Sequence, residues 1–251
     1  MSIQNLGEYS ENSLLAQNPG LVRVLQIFSE ISDHPRPSKQ EDAIRAHLID
    51  VAEGQGWKVE QDETGNVSFQ VPATPGKEDV TPVVLQGHMD MVTFTKDSHL
   101  PRQAEIVDKD KENNKDEKGL WLQTVGQKMT LGADNGIGIA LAVATMMDPS
   151  LEHGPVTILV TVNEETGMTG VKTLDPRLIP ETGILINLDS EEGSVKICIG
   201  CAGSADTVAS FPIGDREVLT EGYTLMDLEL KGFPGGNSGV EIHDGRGNAI
   251  K

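Results

Sequence analysis

Three aliphatic runs, "TPVVLQ", "PVTILVTV" and "TGILINL", limit what this chain can fold into more than any other feature. None alternates apolar with polar residues, so none suits a strand with one face in water; such runs belong inside a sheet covered on both sides. Helical patterns lie around and between them. "NPGLVRVLQIFSEI" places Leu21, Val24, Leu25, Phe28 and Ile31 at helical spacing. "SKQEDAIRAHLIDVAEGQG" opens with Ser38 and Glu41 at the spacing of a capping box and closes on glycines, which predicts a second helix. From Ile137 to Met147 nearly every residue is apolar, which predicts a helix buried all round, with Asp134 and Asn135 near its start. "WKVEQDETGNVSFQV" reads as two short strands about a turn at Gly65–Asn66. Strands alternating with helices predict an α/β sandwich with a mostly parallel or mixed sheet.

The texture changes near residue 205. "ADTVASFPIG" and "YTLMDLELKGFPGGNSG" read as alternating strands of an antiparallel element, and the chain stops at "GRGNAIK" in what reads as the opening of a helix. The expectation is one domain over residues 1–205 and the incomplete start of another over 206–251, so that the chain is an amino-terminal portion of a longer protein. "DKDKENNKDEKG", residues 108–119, is expected to be a solvated loop of mixed charge.

Charge narrows the partners. With 39 acidic against 20 basic residues, the formal net charge is −19. Such a surface repels phosphate backbones and anionic membranes, which argues against nucleic acid and lipid. The start, "MSIQNLGEYSENSLLAQN", has neither the basic residues nor the apolar stretch of a secretory signal, and no apolar run is long enough to span a membrane, so the expected location is the cytoplasm. Cys198 and Cys201 form a lone C-x-x-C and read as small core residues, since a structural zinc site needs four ligands and no second such pair is present.

What carries chemistry is the position of a few polar groups. His88 follows "VVLQG", Glu164 and Glu165 follow "TILVTVN", Asp189 follows "ILINL", and Asp134 heads the apolar helix. In open α/β sheets, sites form beyond the carboxyl ends of the strands, so these groups are expected to converge although a hundred residues separate them. Several carboxylates cannot stay ionised together in a crevice without a positive counter-charge, and one or two divalent cations would supply it. Asp90 is placed to take the second ring N–H of His88 and fix the imidazole.

"GHMDMV", "LGADNGIGIA", "NEETGMTG" and "INLDSEEG", in this order, resemble the dinuclear zinc exopeptidases that include glutamate carboxypeptidase and bacterial tripeptidase. "PRPS", "IGCAG" and "KGFPGGNSGVEIHDGRGNAIK" are most similar to its aminoacyl-histidine dipeptidase branch, whose enzymes split Xaa-His dipeptides. The resemblance implies an α/β/α sandwich with a central mixed sheet and the beginning of an inserted α+β lid domain, through which the family often forms homodimers. It implies that His88 and Asp189 hold one metal ion, Glu165 the other, and that Asp134 bridges both. Glu164 would be the general base and Asp90 the residue that orients His88. Zinc is implied, and one imidazole among carboxylates also suits manganese or cobalt.

The implied reaction is hydrolysis of a small peptide; tripeptides, N-acyl amino acids, or a metal-binding relative without activity are the alternatives. Two departures stand out. The family's further histidine ligand to the second metal lies near its carboxyl end and has no expected counterpart here, because the chain stops in the expected lid domain; His34, His47, His99 and His153 read as surface or loop residues. The family's lid histidine, which binds the developing oxyanion, is replaced by Asn237, with His243 as a candidate substitute.

Overall fold

The structure, a computed structural model, describes residue 3, residues 6–10, 13–93, 103–108, 119–127, 129–180, 183–190 and 210–212, and the single positions 222, 224, 226, 227, 229, 232 and 245. The chain divides into two units, Met1–Glu191 and Glu192–Lys251. Nearly all of the second lies outside the described residues, and with it Cys198, Cys201 and the antiparallel strands expected after residue 205. Most of the charged loop at 108–119 also lies outside them.

The first unit opens with two short helices, α1 (Leu6–Ser10) and α2 (Ser13–Ala16), followed by α3 (Pro19–Ser32) and α4 (Asp42–Gly54). Pro19 occupies the first turn of α3, where its fixed φ and missing N–H cost nothing. Strands β1 (Lys58–Gln61), β2 (Val67–Val71) and β3 (Val83–His88) come next, then a separate antiparallel pair, β4 (Ala104–Asp108) and β5 (Leu120–Thr124). Helix α5 (Ala133–Met146), β6 (Val156–Thr161), the short α6 (Thr169–Lys172) and β7 (Ile184–Asn187) complete the order, with 3-10 turns at Val125–Gln127 and Pro176–Leu178. No helix among the described residues is long and apolar enough to cross a membrane.

Among the described residues, five strands form one mixed sheet in the order β1-β2-β6-β3-β7. β1 and β2 pair antiparallel, as do β2 and β6, whereas β3 runs parallel to β6 on one side and to β7 on the other. The helices supply the main core: Phe28, Ile31, Ile44, Leu48, Ile139 and Val143 pack with Phe69, Ile158 and Val160 of the sheet. Val84 and Leu159, which point the other way, are covered by Leu178. The two aliphatic runs at β3 and β6 thus lie between layers, as their lack of polar alternation requires. The mixed α/β architecture agrees with the expectation.

Three local expectations fail. Ser38 and Glu41 do not cap a helix: α4 begins at Asp42, its start has no side-chain cap, and both side chains reach elsewhere. Helix α5 is not buried all round, because Leu141 is 45% exposed. Leu141 lines an apolar groove with Leu21 of α3 and Leu151, so Leu21 is also exposed rather than part of the buried stripe. Finally β7, expected to be buried, is an edge strand among the described residues, with Ile184, Leu185 and Ile186 exposed.

The β1–β2 turn is fastened to the rest of the unit by Asp62. Its Oδ1 accepts the backbone N–H groups of Thr64 (3.0 Å), Gly65 (2.9 Å) and Asn66 (2.9 Å), and its Oδ2 accepts Asn66 Nδ2 (2.7 Å). Gly65 at φ 100° makes the turn possible without a side-chain clash. Asn66 then reaches the exit of β6, accepting the N–H of Val162 and donating to the carbonyl of Gly170. Replacing Asp62 by Ala leaves these donors facing a methyl group, and the expected loss is at least about 2 kcal/mol. Urea unfolding should show a lower midpoint with an unchanged slope; a midpoint within error of the parent would contradict this account.

Candidate metal centre

Parallel pairing brings the ends of three strands to one edge of the sheet. His88 is level with Thr161, and Gln86 with Asn187. From those levels β6 runs on into Asn163, Glu164 and Glu165, and β7 into Leu188 and Asp189, whose approach is fixed by a Leu188 N–H bond to the Gln86 carbonyl (2.8 Å). The start of α5 descends onto the same edge at Gly87. A Cβ at Gly87 would overlap the side-chain oxygen of Asn135, so only glycine allows the approach. Asp134 and Asn135 depart from helical geometry, and the peptide between them is cis.

His88 and Asp90 are 1% and 0% exposed. The His88 ring separates two neighbourhoods. Its Nε2 lies 2.9 Å from Asp134 Oδ1 and 3.7 Å from Asp189 Oδ2. Its Nδ1 lies 3.3 Å from Asp90 Oδ1 and 3.1 Å from the Asp90 carbonyl. Asp90 does more than face the imidazole. Oδ1 accepts the N–H of Glu164 (2.9 Å), and Oδ2 accepts the N–H of Glu165 (3.2 Å) and the hydroxyl of Ser38 (2.7 Å). Asn135 donates to the Leu188 carbonyl (3.1 Å) and toward Asp189 (3.4 Å), joining the start of α5 to the end of β7.

Two sets of potential ligand atoms lie within 4.8 Å of one another: His88, Asp134 and Glu165, and His88, Glu164 and Asp189. The five groups expected to meet therefore do meet. Their grouping differs from the implied one, since His88 belongs to both sets and Glu164 stands with Asp189. Asn237 and His243 lie outside the described residues, as does His99. His47 is not a loop residue: it sits on α4, half-buried, with its ring stacked on that of His34 at 4.5 Å. His153 bonds through Nδ1 to the carbonyl of Gly154.

The electrostatics are those of crowded acids sharing one base. Burial opposes a charged His88, but the hydrogen bonds to Asp134 and Asp90 and the nearby charge of Asp189 outweigh it and raise the imidazole to about 10. Burial pushes Glu165 up, helped by the charge of Asp134 and opposed by His88, to about 7. Burial also raises Glu164 and Asp189. Asp134 is lowered, chiefly by its bond to His88. Burial works against an ionised Asp90, yet its bonds from His88, Glu164 and Ser38 hold it below the ordinary aspartate value. Carboxylates whose proton affinity is raised by burial, and further by one another's charge, are a donor set suited to divalent cations, which compete with protons for the same oxygens.

Sequence reasoning missed Arg36, Ser38, Glu41 and Asn135. "PRPS" was the available signal for two of them, but Ser38 and Glu41 also fit a helix start, and local spacing cannot tell a cap from a contact across the fold.

No family model matches the chain. It is 40% identical to the cytosol non-specific dipeptidase of Escherichia coli across 96% of its own length, and it spans about half (47%) of that protein. In structure it is similar to the aminoacylhistidine dipeptidase of Vibrio alginolyticus, with a TM-score of 0.60 and 36% identity over 73% of this chain and 36% of that one. It is also similar to the aminopeptidase PepT of Bacillus cereus, with a TM-score of 0.53 and 25% identity over 68% of this chain and 43% of that one.

The proton-holding groups set a pH dependence. Glu165 and His88 both bind a proton more tightly folded than unfolded, so their protonation stabilises the metal-free fold. The Glu165 share is full below its unfolded value of 4.5 and lost as pH rises through about 7; the His88 share is full below 6.5 and lost through about 10. Asp90 and Asp134 act in the opposite sense, but only at acid pH. Between about pH 6 and pH 8 the melting temperature of the metal-free protein should therefore fall, while the gain on adding Zn2+ grows. Scanning calorimetry at constant ionic strength checks this; an increment that shrinks over that window would count against it.

Proposed function

We propose that this chain belongs to the metallo-exopeptidase family of the dipeptidases it matches and hydrolyses the peptide bond of small dipeptides, Xaa-His among them. The observation that carries the reading is the meeting of His88, Asp134, Glu164, Glu165 and Asp189 beyond the ends of β3, β6 and β7, with Asp90 beneath. His88 and Asp189 would hold one divalent ion, Glu165 the other, and Asp134 both. Zinc fits the donor set, and manganese or cobalt are the substitutes. Bound there, the ions supply acidity to water and neutralise charge that develops on the carbonyl oxygen.

The chain's own residues do the rest. Glu164 takes a proton from the attacking water as its oxygen bonds to the carbonyl carbon. The same carboxyl gives the proton to the amine nitrogen as the C–N bond breaks. Burial raises Glu164 above an ordinary glutamate, which suits a group that must both accept and return a proton near neutrality. Asp90 would fix the His88 ring and, through the two amide N–H groups it accepts, the backbone from which Glu164 and Glu165 leave, so that one could serve the attacking water and the other a metal ion. Asn237 and His243 are proposed to bind the oxyanion or the substrate carboxylate. Residues 206–251 are proposed to begin a lid domain through which two copies pair, and the proposed location is the cytoplasm, matching the E. coli relative's name.

Glu164→Gln is the deciding variant. It should bind Zn2+ as the parent does, yet hydrolyse β-Ala-His and Gly-Gly-Gly about 10²–10⁴-fold more slowly, the usual contribution of a positioned acid–base group. Parent activity should vanish with chelator and return with added Zn2+. Near-normal turnover by Glu164→Gln would remove Glu164 from the base role. Hydrolysis of Gly-Gly-Gly but not β-Ala-His by the parent would replace the dipeptide assignment with a tripeptide one.

A further inference from the structure

The segment between α3 and α4 supplies none of the candidate ligands, yet its side chains reach three of the elements that carry them. Arg36, 1% exposed, donates from one terminal nitrogen to the carbonyls of Met89 (3.0 Å) and Asp90 (3.1 Å), just past β3. Its other terminal nitrogen donates to the carbonyl of Gly132, two residues before Asp134. Ser38 donates to Asp90 Oδ2. Glu41, 4% exposed, accepts on Oε1 the N–H of Lys39 (2.9 Å) and of Asn163 (3.0 Å), the residue before the paired glutamates. The backbone joins in, with the Met91 N–H bonded to the Arg36 carbonyl and Pro37 bridging Met91. At Gly132 a Cβ would lie 2.6 Å from the guanidinium, so the loop before α5 is shaped around Arg36.

We propose that Arg36, Ser38 and Glu41 form a positioning brace that sets the spacing of the metal centre, with Glu41 the member that places the Glu164–Glu165 pair. The inference rests on the metal-binding reading above. Asn163 takes a positive φ of 52°, a conformation that asparagine tolerates but that needs support, and it turns the chain from β6 into the two glutamates. The support comes from two buried carboxylates: Glu41 holds the N–H of Asn163, and Asp90 those of Glu164 and Glu165. A carboxylate accepts on every lone pair and offers no donor that could turn against an N–H, so it dictates which way the peptide faces. Three successive amides are thereby aimed, and with them the directions in which the two glutamate side chains leave. Outer partners of this kind typically change metal affinity or activity by 10–100-fold when removed.

Co2+ titration of the metal-free full chain tests this through the visible absorption of the bound ion, with kcat and KM for β-Ala-His measured alongside. Glu41→Ala should bind Co2+ about 10–100-fold more weakly, with a shifted spectrum and a lower kcat at little changed KM. Glu41→Gln, whose oxygen can still accept the Asn163 N–H, should recover most of the affinity and the parent spectrum. Gln40→Ala, exposed on the same segment, should match the parent. A folded Glu41→Ala protein with the parent's affinity and spectrum overturns the inference. Should Glu41→Ala fail to fold, Ser38→Ala decides: a shifted spectrum supports the brace, and parental behaviour overturns it. A parent that takes up no Co2+ overturns the metal reading itself, and the brace with it.

Discussion

Everything at the candidate centre depends on β3 running parallel and in register with both β6 and β7. That pairing puts three carboxyl ends at one level, so a histidine, two adjacent glutamates and an aspartate from distant parts of the chain arrive together. Antiparallel pairing would have sent half of them to the opposite edge. The antiparallel hairpin of β1 and β2 adds width without adding ligands, and its turn is used instead to fasten the exit of β6 through Asp62 and Asn66.

Bringing acids together is electrostatically unfavourable, and the fold handles the problem by giving the members unequal surroundings. Asp90, the most enclosed, is kept ionised by the N–H and O–H groups aimed at it, and so behaves as a fixed acceptor. Glu164, Glu165 and Asp189 have less help and hold their protons more tightly. His88 stands among them as the shared base. The same enclosure that raises a proton affinity prepares a place for a cation, since the metal and the proton compete for the same lone pairs.

Much of this was legible in the sequence because the relevant signals are local. Unbroken aliphatic runs at β3 and β6 marked internal strands, and a polar group directly after each marked the edge at which a site forms. The readings that failed depend on what lies across the fold. Ser38 and Glu41 sit at capping distance from each other, but Asp90 and Asn163 compete for them and win. Leu21 and Leu141 have the composition of core residues yet border an open groove, and the composition of β7 could not reveal that only β3 pairs with it among the described residues. The role of Arg36 was invisible for the same reason, since its acceptors are backbone carbonyls that carry no sequence signature.

One carboxylate thus steadies an imidazole with one hand and two peptide planes with the other. Substitutions around Asp90 cannot be expected to add: a change at Ser38, His88 or either glutamate alters the setting in which the others are felt. The centre is in this sense a single unit of inheritance, with few routes by which its members could be exchanged one at a time.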